Sequence, residues 1–224
     1  MEKIDESSSS KSEGESNLTF KIIVLGDPGV GKSSLLGRAT KNIFNAEYQT
    51  TVGFEFLSFT EKIGEKNVKL QIWDTCGQET YKSLISNFYR NASLAMLIYS
   101  IDSRESFNNI IKWLKEIKLQ SNPDIKVVLI GNKADLENKR QVTIEEGNKF
   151  KEENDILFFQ EASAKSGINA KEIFHEAAKI LYDEYIIFLK KARNTSLTKL
   201  SESSFNSSKL KSFYEPRKKR KKCC

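Results

Sequence analysis

Short apolar runs alternate with longer amphipathic stretches along most of the chain, and this alternation predicts the order of strands and helices. Apolar or alternating runs at residues 21–25, 54–63, 67–73, 94–100, 126–130 and 157–160 predict six strands. Apolar positions at helical spacing predict helices at residues 31–41, 81–90, 105–120, 144–153 and 169 to about 190. The result is an expected α/β fold of three layers, a mostly parallel six-stranded sheet with helices on both faces. The second and third strands are separated only by a short polar turn, which favours an antiparallel hairpin.

Both ends of the chain depart from this pattern. Residues 1–17 are rich in Ser and Glu and lack aromatic residues, which predicts a disordered N-terminal arm. The folded domain is expected to span residues 18–190, and residues 191–224 are predicted to form a flexible tail. No stretch approaches the roughly 20 apolar residues of a membrane-spanning helix, and no signal-peptide core is present.

The excess positive charge lies at the C-terminal end. The sequence has 36 Lys and Arg against 30 Asp and Glu, a net charge of +6, and residues 217–222 are all basic. Without these six residues the chain is neutral, so the charge argues for an anionic partner of the tail and against nucleic-acid binding by the folded domain. The cysteines, Cys76, Cys223 and Cys224, fit neither a disulfide framework nor a metal-ligand spacing, which favours a cytosolic protein.

The segment between the first strand and the first helix matches the phosphate-binding loop motif G-x-x-x-x-G-K-[ST], from Gly26 to Ser33. Its glycines let backbone N–H groups point at a phosphate, and the helix that follows adds its positive dipole end. Lys32 is expected to reach the outer phosphates and Ser33 to ligate Mg²⁺. The alternative is a glycine turn that binds nothing. The predicted phosphate-binding residues are Asp27, Pro28, Gly29, Val30, Gly31, Lys32, Ser33 and Ser34.

A second group of polar residues follows the third predicted strand, at the edge where open α/β sheets bind ligands. Asp74 is expected to anchor Mg²⁺ through water; its alternative role is that of a turn or helix-capping aspartate. Gly77 is expected to donate its backbone N–H to a γ-phosphate. Gln78 would then lie beside that phosphate and orient an attacking water molecule.

Two more motifs follow the last two predicted strands, and they indicate recognition of a base. One motif runs from Asn132 through Lys133 to Asp135. The carboxylate of Asp135 can accept hydrogen bonds from two donors that guanine has and adenine lacks, the N1–H and the exocyclic amine. Such paired buried hydrogen bonds discriminate strongly between bases. The segment SAK, which consists of Ser163, Ala164 and Lys165, is expected to add a backbone N–H to the guanine oxygen.

The segments GDPGVGKS, TTVGFEF, WDTCGQE, GNKAD and EASAK, in this order, resemble the small GTPases of the Ras superfamily. Residues 51–56, the segment YKSLISNFYR and the terminal Cys223–Cys224 pair resemble the Rab branch. Over residues 18–185, the resemblance implies a P-loop NTPase fold and a GTP/GDP switch that regulates vesicle traffic and intracellular protein transport. It also implies slow Mg²⁺-dependent GTP hydrolysis. The segments FLSFT, YKSLI and KRQVTIEEG resemble the Golgi-associated Rab subgroup.

Carried over by position, the resemblance implies further site residues. Thr51 would bind Mg²⁺ and sense the γ-phosphate, Phe44 would stack on guanine, and Tyr48 would cover the phosphates. Gln78 and Lys32 would be the catalytic residues. Gln78 would orient the attacking water, and the positive charge of Lys32 would hold the phosphates. Residues 43–53 and 75–90 would be switch segments that the γ-phosphate orders.

The resemblance also implies partners: an exchange factor, a GTPase-activating protein, a GDP-dissociation inhibitor, the prenylation machinery and effectors. Effectors would contact an aromatic surface of Phe54, Trp73 and Tyr89, whose alternative role is ordinary core. Cys223 and Cys224 would carry geranylgeranyl groups, and two lipid chains beside basic residues anchor a protein firmly. The expected location is the cytoplasmic face of intracellular membranes, such as Golgi or transport vesicles, with a cytosolic pool. The alternative for the basic end is a solvated or nuclear-import-like segment.

Two residues depart from the family pattern. Pro28 stands where Ser or Gly is usual, fixes its own φ and removes an N–H donor. An alternative hypothesis is therefore a guanine-nucleotide switch with negligible hydrolysis. Cys76 replaces the usual Ala, which is expected to change little. A P-loop nucleotide kinase is a third hypothesis, against which Asn132 and Asp135 argue.

Overall fold

The computed structural model describes residues 18–45, 54–75 and 89–197, together with the side chains in these ranges except those of Phe54 and residues 193–197. The predicted N-terminal arm, most of the predicted tail and most of the helix predicted at residues 81–90 lie outside the described residues. The same holds for the predicted site residues Tyr48, Thr51, Gly77, Gln78, Cys223 and Cys224, and for Cys76. Their roles stay predictions.

Six strands in the described part of the chain form one sheet, in the spatial order β2-β3-β1-β4-β5-β6. Only β2 and β3 pair antiparallel, and the other neighbours pair parallel, which confirms the predicted mostly parallel sheet and its hairpin. The strands are β1 (Leu18–Leu25), β2 (Phe54–Ile63), β3 (Lys66–Thr75), β4 (Leu94–Ser100), β5 (Lys126–Asn132) and β6 (Phe158–Glu161).

Helices connect the strands, and the last helix follows the last strand. They are α1 (Lys32–Lys41), α2 (Arg104–Gln120), a short 3₁₀ helix (Ala134–Lys139), α3 (Ile144–Glu153) and α4 (Glu172–Leu197). The start of α2 is capped by Ser103, whose side chain accepts a hydrogen bond from the backbone N–H of Ser106. The helix α4 ends at Leu197, later than the end near residue 190 that the apolar pattern predicted.

The sheet is covered on both faces because alternate residues of the central strands point to opposite sides. On one face, β1 and β4 contribute Ile22, Val24, Met96 and Ile98, which pack with α1 and α4. On the other face, Ile23, Leu25, Ala95 and Leu97 pack with α2. These two apolar layers confirm the predicted three-layer α/β architecture, and they fix the strand ends that carry the site.

For Tyr89 the structure agrees with the core alternative. Tyr89 is fully buried in the second apolar layer, so it belongs to the core and not to an exposed aromatic surface. Trp73 is partly buried and meets the ring of Phe56 edge-on, with 5.2 Å between ring centres. Because Phe56 is 49% exposed, this pair presents an apolar patch on β2 and β3.

Candidate nucleotide-binding site

The phosphate-binding loop is shaped by glycines at two points where no other residue fits. Gly26 has φ of 147°, and a Cβ there would lie 2.1 Å from the carbonyl oxygen of Ile98 on β4. Gly31 has φ of 90°, and its Cβ would lie 2.5 Å from the Asn132 side chain. Gly31 also leads into α1 without a side-chain cap and without an acidic residue in the first turn. The first N–H groups of α1 are therefore suited to an anion.

Lys32 holds its ammonium across this loop. Its Nζ donates to the carbonyl oxygens of Gly26 at 2.8 Å and Asp27 at 2.9 Å, and the residue is 6% exposed. The two acceptors fix the long side chain where the loop encloses its positive charge. A phosphate in the loop would meet this ammonium together with the N-terminus of α1.

At the end of β3 a buried carboxylate meets the loop. The Ser33 hydroxyl donates to Oδ2 of Asp74, while Oδ1 of Asp74 is buried without a hydrogen-bond partner among the described residues. Burial raises the pKa of Asp74 to about 6, although the Ser33 hydrogen bond and the charge of Lys32 both lower it. The Ser33 hydroxyl and the Asp74 carboxylate, one oxygen of which has no hydrogen-bond partner among the described residues, are oxygen ligands of the kind that Mg²⁺ prefers.

Asn132, at the end of β5, connects the phosphate loop to the segment SAK. Its Nδ2 donates to the carbonyl oxygens of Val30 at 2.8 Å and Gly31 at 3.3 Å. Its Oδ1 accepts from the backbone N–H of Ala164 at 3.4 Å. Because Asn132 is 1% exposed, one buried amide sets the position of two loops that the sequence predicts to hold opposite ends of a nucleotide.

The carboxylate of Asp135 is also fixed by the segment SAK. The Ser163 hydroxyl donates to Oδ1 of Asp135 at 2.6 Å and accepts from the backbone N–H of Ser166 at 3.0 Å. The structure holds no donor for the second oxygen of Asp135 within the described residues. Lys133 adopts a left-handed φ of 64°, which turns the chain from β5 into the 3₁₀ helix that begins beside Asp135. The site thus has an oriented acceptor where a base is predicted.

Arg38 supports this end of the site, and the sequence analysis did not single it out. Its Nε donates to the carbonyl oxygen of Ala164 at 2.8 Å, and its Nη2 donates to that of Lys165 at 2.9 Å. Its guanidinium also lies 6.0 Å from the ring centre of Phe44, the predicted guanine-stacking residue. The one sequence signal was a basic residue in the last turn of a helix, which is common at helix ends.

The structure therefore brings most of the predicted residues in its described part to one sheet edge. The loop 26–33, Asp74, Asn132 and the segment SAK are linked by side-chain hydrogen bonds. Asp27 differs, because its carboxylate is turned to α2 and accepts hydrogen bonds from Asn109 and Trp113. Its predicted phosphate contact thus rests on its backbone alone.

A phosphate loop at the end of the first strand of a parallel sheet defines a P-loop nucleotide-binding protein. A family model described as the Ras family matches residues 21–183. Among similar proteins, the Ras-related protein RHN1 of Nicotiana plumbaginifolia is 46% identical over 76% of this chain and 84% of its own length. Ras-related protein Rab5 of Nicotiana tabacum is 47% identical over 74% of this chain and 82% of its own. Ras-related protein Rab11D of Lotus japonicus is 43% identical over 77% of this chain and 78% of its own length.

The chain therefore belongs to the Ras family of small GTPases and, within it, to the Rab proteins. As a member, it binds GTP and GDP and hydrolyses GTP to GDP and phosphate. The predicted P-loop GTPase fold is confirmed, while the Golgi subgroup stays a prediction. In the described part of the chain, no helix is long and apolar enough to cross a bilayer.

Proposed function

We propose that this GTPase is a membrane-anchored switch that regulates vesicle traffic and intracellular protein transport by cycling between GTP and GDP. The observation that carries the proposal is the buried amide of Asn132, which bonds both to the phosphate loop and to the segment SAK. A ligand with phosphates at one end and a base at the other would meet one connected unit. The role in traffic is what the similarity to Rab proteins implies.

The phosphate end would carry out a slow hydrolysis. Lys32 and the backbone N–H groups of the loop hold the phosphate oxygens, while Gln78 orients the attacking water. Ser33, Thr51 and Asp74 would hold Mg²⁺, which supplies charge neutralisation when bound, and the open oxygen of Asp74 fits that role. The sequence offers no evident arginine finger in these loops, so a GTPase-activating protein would supply one. An exchange factor would reload the site.

The base end would select guanine. The carboxylate of Asp135 would accept from the N1–H and the exocyclic amine, and the backbone N–H of Ala164 would donate to the guanine oxygen. Phe44 and Lys133 would cover the base, while Lys165 and Ser163 shape the loop around it. Adenine would leave the Asp135 carboxylate without matching donors, and this mismatch costs affinity.

The tail would hold the switch on a membrane. Two geranylgeranyl groups on Cys223 and Cys224, next to the basic residues 217–222, would anchor the protein at the cytoplasmic face of intracellular membranes. A GDP-dissociation inhibitor would maintain the cytosolic pool. Effectors would recognise the GTP form at the switch segments and at the patch of Phe56 and Trp73.

The guanine site is tested with purified, nucleotide-stripped protein and competing GTP, ATP and XTP. We expect the parent protein to prefer GTP by far. Asp135→Asn should lose affinity for GTP and gain affinity for XTP, because an amide can donate to the carbonyl that xanthine has where guanine has an amine. Asp124→Asn is the matched control, since Asp124 is exposed in the turn before β5. A parent protein that binds ATP as well as GTP contradicts the proposal.

The hydrolysis is tested by single-turnover phosphate release. Gln78→Leu should bind GTP like the parent and release phosphate far more slowly, because water loses its orienting group. An unchanged rate refutes the role of Gln78.

The membrane role is tested by localising the tagged full chain beside a form in which Cys223 and Cys224 are both Ser. We expect the double variant to be cytosolic, and membrane retention of that variant would contradict lipid anchoring.

A further inference from the structure

Asp27 places a negative charge inside a loop that is built to receive phosphates. Like charges repel, so an Asp27 carboxylate free to turn toward the ligand would weaken its binding. In the structure both oxygens face away, toward α2. Asn109 donates from Nδ2 to Oδ2 at 2.6 Å, and Trp113 donates from Nε1 to Oδ1 at 2.9 Å.

The two donors stand on a firmly held element. Asn109 and Trp113 are four positions apart on α2, so they lie on one side of the helix, one turn apart. The same helix is fixed to the sheet by its buried residues Phe107, Ile110, Leu114 and Ile117. Donors on a packed helix keep their positions, so the carboxylate that they bind is held relative to the sheet.

The backbone at Asp27 is restrained as well. Its carbonyl oxygen accepts from Nζ of Lys32 at 2.9 Å. The residue that follows is Pro28, and a proline limits the conformations of the residue before it. The side-chain bonds to α2 thus act on a short, stiff segment, and a shift of the carboxylate would be passed to the phosphate loop and to Lys32.

We propose that Asn109 and Trp113 are positioning residues that hold the Asp27 carboxylate on α2 and thereby slow the release of bound guanine nucleotide. Loss of both donors would free the loop and turn a negative charge toward the phosphates. The inference rests on the proposed function, because it takes a guanine nucleotide as the ligand of this loop.

The test measures release of a fluorescent GDP from the full-length protein after addition of excess unlabelled GDP. The double variant Asn109→Ala, Trp113→Phe should release GDP about tenfold faster, the factor that about 1.4 kcal/mol corresponds to. Phenylalanine keeps an aromatic ring at position 113 and removes the N–H donor. Asn108→Ala is the matched control, since Asn108 is an exposed neighbour of the same type, and it should release GDP at the parent rate.

The charge of Asp27 decides between a positioning role and a merely structural one. In an Asp27→Ala background there is no carboxylate to release, so the same double replacement on α2 should change the release rate less than twofold. An equal acceleration in both backgrounds would show general loosening of α2 and overturn the inference. If the double variant unfolds, the single variants Asn109→Ala and Trp113→Phe give the same comparison. A parent protein that does not load GDP at all would refute the proposed function, whereas normal loading with unchanged release would refute this inference alone.

Discussion

Arg38 gives the sharpest prediction about the base end of the site. It lies in the last turn of α1 and donates two hydrogen bonds to the segment SAK, to the carbonyl oxygens of Ala164 at 2.8 Å and Lys165 at 2.9 Å. The same guanidinium lies over the ring of Phe44. One side chain therefore contacts both segments that are predicted to hold guanine, although it is itself outside every motif.

The expected effect follows from these two bonds. A hydrogen bond from a charged donor contributes about 1.5–3 kcal/mol, but Arg38 is only partly buried, so water replaces part of what is lost. We take about 1 kcal/mol for each bond, which is about 2 kcal/mol in total and about a 30-fold faster release of GDP for Arg38→Ala. For Arg38→Lys we expect an intermediate effect, a release of GDP about fivefold faster than from the parent protein. The reason is that an ammonium reaches one carbonyl where the planar guanidinium reaches two.

The assay is release of fluorescent GDP at constant Mg²⁺, with thermal unfolding as a check on the fold. Lys41→Ala is the matched control, because Lys41 is in the same turn and carries the same charge. Its ion pair to Glu55, at 3.8 Å, is exposed and contributes little. Release from Arg38→Ala within twofold of the Lys41→Ala rate would refute the reasoning, as would an Arg38→Lys variant that behaves like the parent protein.

Three further predictions concern the loop and the core. Pro28→Ser restores an N–H donor, and we expect unchanged intrinsic phosphate release but faster release with an activating protein. A large gain in the intrinsic rate of phosphate release would instead favour the alternative hypothesis, in which Pro28 makes hydrolysis by the parent protein negligible. Tyr99→Phe removes a buried hydroxyl without a partner among the described residues, so the unfolding temperature should rise by about 2–4 °C, and a fall would reveal a lost bond. Gly26→Ala should abolish GDP binding, since its Cβ would meet the Ile98 carbonyl, and normal binding would contradict the geometry.

The fold was predictable because burial follows the period of each element. Every residue of β4 is buried, and its apolar run predicted the strand from Leu94 to Ser100 without error. The end of α4 was missed, because no glycine or proline follows residue 190 until Pro216 and a fading apolar pattern alone does not stop a helix. For Tyr89 both core and surface stayed open, because its sequence neighbourhood does not tell which side of a chain segment faces the core.

The site was predictable only where a motif fixes the backbone. Asp74, Asn132 and Asp135 follow apolar runs, and parallel strands bring their ends to one edge. Their supporting residues had no such signal. Arg38 bonds to a residue 126 positions away, and Trp113 to one 86 positions away. Which side chains meet over such separations depends on how each helix is rotated on the sheet, and apolar spacing sets this rotation only coarsely.

A division of roles between motif and support follows from these contacts. The motif residues carry the groups that face the ligand, and they stand at strand ends and on loops, some with costly backbone conformations such as the left-handed φ of Lys133. Loops of this kind are held by side-chain hydrogen bonds, here from α1 at the base end and from α2 at the phosphate end. In related complexes affinity varies mainly through the dissociation rate. The helices should therefore set how long a nucleotide stays bound, while the motifs set which nucleotide it is and how it reacts.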